Sequence, residues 1–403
     1  MGQYLADVAI AAVCQGHRVR VITANNGYDD PSVRFPTLEY RQGVEVNRLR
    51  WSSLGKSSYV KRILSQILFT LQALVKGLIG YRSDVVLVST IPAFGILAAW
   101  LLTRLRSSAL VYWVMDINPD EAITVGLVRP SSLLAKLLEN LNRIVLESAK
   151  NVITLDSLMA QRLQSKARLG TRISVIPPWV LTESIPRAMA SGLKFRREHG
   201  LDGKFVIMYS GNHSLVHPLD TILDAASRLA HRKEILFLFI GGGVEKRKVE
   251  RAILYGAPNI WALPYQSFDD LGESLSAADV HVVVMGESMA GIVHPCKIYG
   301  AMAAERPVLA IAPSKSHISE IMDAGSFGFR LEHGDVAGVV RAILILADMN
   351  EKERTEMGKN AGTMVRANRN PSILRKKFVE ILECACESKC NRPSTLDKHD
   401  RDY

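Results

Sequence analysis

Residues 279–313 read Asp-Val-His-Val-Val-Val-Met-Gly-Glu-Ser-Met-Ala-Gly-Ile-Val-His-Pro-Cys-Lys-Ile-Tyr-Gly-Ala-Met-Ala-Ala-Glu-Arg-Pro-Val-Leu-Ala-Ile-Ala-Pro. The β-branched run Val280–Val284 predicts a buried strand. A glycine-bearing loop follows over 286–295, then a short helix over 297–304 and a second apolar strand over 307–311. The loop thus stands at the carboxyl end of a parallel strand and leads into a helix N-terminus. Main-chain N–H groups and the helix dipole at such a place favour an anion, most often a phosphate. The stretch therefore places a phosphorylated ligand in the second half of the chain.

Working outward, 403 residues exceed one ordinary core and imply two domains, or three. Fifty Lys and Arg against 40 Asp and Glu give a net charge of +10, which suits anionic partners such as nucleotides or phospholipids. Nucleic acid ranks last, because no nucleic-acid module and no aromatic-basic alternation is present. The odd count of five cysteines, with no signal peptide, points to a reducing cytoplasm. Cys384, Cys386 and Cys390 near His399 offer either a zinc site or, by default, a disordered tail over 386–403.

Short β-branched runs alternate with helical patterns along the chain, which predicts parallel sheets with crossover helices, twice over. The expected domains are an N-terminal Rossmann-like domain over 1–180 and a second over 181–370. A helix over 371–385 is free to cross back onto the first. The interdomain linker is expected from Pro177-Pro178 to Lys194. The first domain opens with a helix pattern, Gln3 to Gln15, and the strand and glycine-rich turn that normally open such a domain are absent. In a 3-2-1-4-5-6 sheet the missing strand is central, so its loss leaves unpaired edges or forces re-pairing. Either a misplaced start codon or a genuinely reduced domain accounts for this.

Three further segments of the second half carry chemistry. Tyr209-Ser210-Gly211-Asn212-His213 closes one strand and precedes a helix. Its Gly211 permits close backbone approach, and Ser210, Asn212 and nearby amides suit a diphosphate; an ordinary strand-to-helix turn is the plain alternative. Gly241-Gly242-Gly243 ends the next strand, but Glu245 and Lys246 replace the third glycine of a full dinucleotide fingerprint. In His294-Pro295-Cys296-Lys297, Lys297 can reach phosphate oxygens and the amides of Ile298 and Tyr299 point the same way. In the first half, Met115-Asp116-Ile117-Asn118-Pro119-Asp120-Glu121 ends a buried strand with acids. Asp116 is the candidate for an acceptor hydroxyl, and Asp120 and Glu121 serve either there or as helix caps.

Residues 51–82 interleave Lys56, Lys61, Arg62, Lys76 and Arg82 with leucines, isoleucines and Phe69. This pattern describes either a helix on the inner face of an anionic bilayer or a buried helix with basic ends. The helix pattern Phe94–Arg106 is too short to span a bilayer.

Tyr-Ser-Gly-Asn at 209–212, Phe-Ile-Gly-Gly-Gly at 239–243, Ser-Ala-Ala-Asp-Val at 276–280 and Pro-Cys-Lys-Ile-Tyr-Gly-Ala-Met-Ala-Ala-Glu-Arg-Pro-Val at 295–308 together resemble the GT-B glycosyltransferases. The resemblance is to the retaining "glycosyl transferases group 1" family, nearest to bacterial enzymes of exopolysaccharide or O-antigen synthesis. It implies two Rossmann-like domains facing a cleft, a nucleotide-diphosphate sugar held by the second, and a saccharide or lipid-linked acceptor held by the first. It implies retention by front-face attack, with no metal or other cofactor. Two family glutamates correspond here to Ile292 and Gly300, which leaves the ribose contact unassigned. Glu287 of the loop is the remaining acid, off the family spacing. Two alternatives stay open on the same fold: a nucleotide-sugar epimerase, and a catalytically inactive partner protein.

Overall fold

The computed structural model describes residues 2–26, 33–50, 59–92, 94–180 and 192–387. Most of the expected linker and the tail from 388 onward lie outside these residues. The described residues divide into two units, one over 2–177 and 372–387 and the other over 178–371.

The first unit carries seven strands among its described residues: β1 Arg20–Ala24, β2 Leu38–Arg41, β3 Val44–Leu49, β4 Val85–Ser89, β5 Ala109–Trp113, β6 Asn151–Thr154 and β7 Ile173–Val175. They form two sheets, ordered β1-β3-β2 and β4-β5-β6-β7. β1 and β4 each pair on one side only, so two open edges stand where a 3-2-1-4-5-6 sheet has its first strand. Arg20, at the start of β1, reaches the Tyr81 carbonyl at 3.4 Å and lies 4.5 Å from that ring's centre, just ahead of β4. β2 was not legible in the sequence because three of its four side chains face solvent. It is built by a hairpin turn with positive φ at Gln42 (48°) and Gly43 (80°), the signature of a type I′ turn.

The order β4-β5-β6-β7 advances one strand at a time, so right-handed crossovers put helices Gly95–Arg106, Leu133–Ser148 and Ser157–Lys166 on one face. The C-terminal helix Pro371–Cys386 belongs to this unit. Its Phe378 meets Trp113 edge-on at 4.6 Å with both rings fully buried, and ion pairs Arg375–Asp7 (3.7 Å) and Glu383–His17 (2.8 Å) flank the contact.

The second unit carries β8 Phe205–Ser210, β9 Ile235–Ile240, β10 Ile260–Leu263, β11 Val280–Val284, β12 Val308–Ile311 and β13 Gly328–Leu331 in one parallel sheet ordered β10-β9-β8-β11-β12-β13. This is the doubly wound order, with its switch point between β8 and β11. Side-chain alternation feeds two cores: Ile207, Tyr209, Phe237 and Phe239 pack with Ile222 and Val339 on one face, and Val206, Met208, Leu236 and Leu238 with Phe195 on the other.

Replacing Phe378 by Ala removes the largest side chain joining the C-terminal helix to β5. The expected cost is about 3–5 kcal/mol, read from urea unfolding by circular dichroism; a loss under ~1 kcal/mol would mean that the helix does not close this core.

Candidate functional site

β8 and β11 are paired only at Ile207↔Val280 and Met208↔His281. Beyond that register the strands part, and their carboxyl ends open the crevice in which ligands of such sheets bind. Two loops fill the opening, 211–219 after β8 and 285–296 after β11, tied where the Gly286 amide donates to the Val216 carbonyl at 2.8 Å.

The first loop is woven into the triglycine turn after β9. The Gly211 amide donates to Ile240 O (2.9 Å), the His213 amide to Gly242 O (2.8 Å) and the Glu245 amide to His213 O (2.9 Å). Glycine is required at two of these positions. Gly241 has φ 127° and a Cβ there would sit 2.1 Å from the Gly211 carbonyl; Gly243 has φ 135° and its Cβ would meet the His213 carbonyl at 2.4 Å. Lys246 holds the turn from behind through the Gly241 carbonyl and the Leu263 carbonyl. Among the described residues, no main-chain carbonyl accepts from the amides of Asn212, Gly242 or Gly243.

Lys297, the first residue of helix Lys297–Ala303, reaches across this turn. Its Nζ donates to the Tyr209 hydroxyl and to the Asn212 carbonyl (3.0 Å), and stands 4.1 Å from the Tyr209 ring centre. The Tyr209 hydroxyl in turn donates a hydrogen bond to the Asn212 carbonyl at 3.0 Å. Burial holds this phenol above its ordinary pKa, so it remains a donor. A Cβ on Gly211 would lie 3.3 Å from the lysine Cε. Among the described residues no carboxylate pairs with Lys297. Burial pushes its ammonium down to about 7. The structure thus brings the 209–213, 241–243 and 297 neighbourhoods together around a cation without a counter-ion.

His213 lies under the cluster, fully buried, 4.9 Å edge-on from Tyr209. Burial, and then the charges of Lys297 and Lys246, push its imidazole down to about 4. The Gly211 and Gly242 main chain lies beside the ring, yet neither ring nitrogen makes a hydrogen bond of good geometry. Tyr265 covers the glycines, its hydroxyl donating to Gly242 O at 3.2 Å.

Other expected site residues fall differently. Ser210 ends β8 half-buried. The amides of Ile298 and Tyr299 turn back to Pro295 O (3.4 Å) and Cys296 O (3.1 Å), so their side of the helix start is internally engaged, contrary to the expectation that they face a phosphate. Both side chains are core, and the Tyr299 hydroxyl bonds His294 Nε2 at 2.8 Å. Glu287 is exposed on the short turn Glu287–Met289 and makes none of the bonds that join the cluster. Ile292 is buried, and a Cβ on Gly300 would meet only the Leu275 Cδ1, at an ordinary 3.5 Å.

In the first unit, Asp116 lies three residues past β5, and burial pushes its carboxyl up to about 6. Burial and the nearby Asp116 charge push Glu121 up to about 7. Asp120 caps nothing: its buried carboxylate bonds Arg162 at 2.6 Å and Lys166 at 2.7 Å, and Pro119 holds the cap position of helix Asp120–Thr124. Glu121 makes no cap bond either and belongs electrostatically with Asp116.

Sequence reading missed Tyr209 as the seat of Lys297, and His213 and Tyr265 as its surroundings. The available signal for Tyr209 was alternation: it shares the inward face of β8 with Ile207, one residue before the glycine turn.

Residues 1–179 match the sequence model of the glycosyl transferase 4-like domain, and residues 204–349 match that of glycosyl transferases group 1. The chain is a glycosyltransferase built of these two domains. The transferase is 25% identical over 355 residues to a Pseudomonas aeruginosa protein named "Probable glycosyltransferase WbjE", covering 87% of this chain and 86% of that one. It is 24% identical over 336 residues to an Escherichia coli K12 protein named "Putative colanic acid biosynthesis glycosyl transferase WcaI", covering 80% and 82%. Among solved structures it resembles a sucrose-phosphate synthase of Thermosynechococcus elongatus (TM-score 0.75, 18% identity, 94% and 92% coverage). It also resembles Anabaena HepE, solved with UDP and glucose (TM-score 0.68, 15% identity, 95% and 96% coverage). These likenesses show the GT-B fold of two Rossmann-like domains.

A lysine amine with its pKa down near 7 is mostly neutral at pH 8 and should take up a proton when an anion arrives. Titrating the transferase at pH 8 with the common nucleoside diphosphates, in buffers of different ionisation enthalpy, should show uptake of up to ~0.9 proton. Lys297→Met should abolish it; uptake unchanged in the variant would remove Lys297 from contact with the anion.

Proposed function

We propose that the transferase moves a sugar, with retention, from a nucleotide-diphosphate sugar to a saccharide or lipid-linked saccharide in cell-surface polysaccharide synthesis on the cytoplasmic side of the membrane. The observation that carries this reading is the Lys297 ammonium, held by neutral acceptors beside the splayed ends of β8 and β11. The diphosphate lies against Lys297 and the amides of Asn212, Gly242 and Gly243. As the anomeric C–O bond breaks, these groups offset the charge growing on the departing phosphate oxygen, a term that often dominates such catalysis. The acceptor oxygen forms its new bond on the face the diphosphate leaves, through an oxocarbenium-like transition state, and its proton passes to the departing phosphate oxygen. The donor needs no metal in this scheme. HepE was solved with UDP and glucose, and WcaI bears the name of a polysaccharide pathway; both support the substrate classes.

Asp116 accepts the hydrogen bond of the acceptor hydroxyl, and it does so most strongly when ionised. Activity then rises with pH through about 6, as Asp116 loses its proton, and falls above about 7, as free Lys297 loses its own. The profile of kcat/KM, which reports the free enzyme, should be bell-shaped with its maximum between those values. Asp116→Asn should remove the acid limb, Lys297→Met the alkaline limb, and each should lower turnover at least ~10-fold. An unchanged profile in both variants would refute the assignment. Donor consumed without acceptor, giving an epimerised nucleotide-sugar, would favour the epimerase reading instead.

A further inference from the structure

Helix Tyr59–Ile79 presents Leu64, Ile67, Leu71, Val75 and Ile79 to solvent, at spacings of three and four residues. They form one stripe along its outer face. Ile79 is 79% exposed and Leu71 55%. Helix Gly95–Arg106 lies beside it, the two running side by side to the same end: a Cβ on Gly77 would touch Leu102 Cδ2 at 2.7 Å, and Arg106 Nη2 donates to Gly80 O at 3.1 Å. This second helix adds Leu101 and Leu105 to the exposed apolar surface. On its far side, Trp100 Nε1 donates to Ser148 Oγ at 3.1 Å, which seats helix Leu133–Ser148 with its own exposed Leu133, Leu137 and Ile144. Three adjacent helices of one layer thus turn leucines and isoleucines outward, well beyond the scattered apolar residues of an ordinary surface.

Charge decides what covers this face. Neither of the first two helices contains an aspartate or a glutamate. Lys76, Arg82 and Arg104 are exposed around the stripe near the shared end. A second copy of the same face would bring these cations against one another, whereas anionic headgroups neutralise them while the leucines enter the acyl boundary. Among the described residues no helix is long and apolar enough to cross a membrane, so the contact is interfacial.

We propose that the outer face of helices Tyr59–Ile79 and Gly95–Arg106, flanked by Leu133–Ser148, docks flat on an anionic lipid bilayer. The sequence offers the first helix as a bilayer contact and the second only as too short to span one; the structure sets them side by side, with the third beyond. The proposal deepens the reading of a membrane-linked acceptor, but its test needs neither donor nor acceptor, so a failed transfer assay leaves it intact. Full-length protein is sedimented with phosphatidylcholine vesicles and with phosphatidylcholine–phosphatidylglycerol vesicles. Binding to the mixed vesicles should be at least ~10-fold tighter and should weaken as salt rises. Lys76→Ser and Arg104→Ser should each weaken it about 5-fold on the mixed vesicles only. The double variant L71E/V75E, at exposed positions, should lose binding at least ~10-fold with circular dichroism and melting unchanged. Equal binding of wild type to both vesicle types, or undiminished binding of the folded double variant, would overturn the proposal. So would a dimer in sedimentation velocity that the same double variant dissociates, with no vesicle binding.

Discussion

Among the described residues the Lys297 ammonium has no counter-ion, and the second unit is arranged so that this is possible. A half-buried cation with only a phenol, a carbonyl and an aromatic face for company loses much of its hydration and recovers little in return, which is why its proton is weakly held. The arrangement persists because the surrounding backbone is rigid: strands β8, β9 and β11 fix the turn, and glycines let carbonyls approach where a side chain would collide. In the proposed function, a bound diphosphate supplies the missing half of the ion pair. His213 fits the same logic. It is kept neutral by burial and by the neighbouring lysines, so it adds no competing charge to the place where the anion's own charge must be met.

The first unit poses the opposite electrostatic situation. Asp116 is pushed toward neutrality by burial, and Glu121 by burial and the nearby Asp116 charge, while Asp120 between them is held by Arg162 and Lys166. Three acids within six residues therefore divide their labour by environment: one braces helix Ser157–Lys166, and two are left with raised proton affinity near the end of β5. Perturbed carboxyl pKa values cluster at functional sites, which agrees with the acceptor role proposed for Asp116. The open edges of β1 and β4 show that the unit keeps its α/β layers while its sheet is divided, held there by Arg20 on Tyr81 and by the C-terminal helix on Trp113.

Much of this was legible in the sequence, for identifiable reasons. The strands β11 and β12 are buried, apolar runs bounded by Gly286, Pro307 and Pro313, and those runs alone located them. β2 escaped because its side chains are polar and exposed, and β13 because it opens on Gly328 and carries Arg330. At the site, the glycines and Lys297 were readable since glycine and lysine carry local chemical meaning. Tyr209 was not, because its role comes from a contact 88 residues away in sequence. The amides of Ile298 and Tyr299 misled for a related reason: a helix start exposes donors in principle, but here its first turn tightens and spends them on Pro295 and Cys296.

The central claim is that a diphosphate occupies the ground between Lys297 and the 211–213 and 241–243 turns. A crystal structure of the complex with a nucleoside diphosphate tests it most directly. The account predicts a phosphate oxygen within hydrogen-bond reach of Lys297 Nζ, with others facing the Asn212, Gly242 or Gly243 amides and the lysine drawn off the Tyr209 hydroxyl. A diphosphate bound elsewhere on the second unit, with Lys297 still seated on Tyr209 and Asn212, would contradict it.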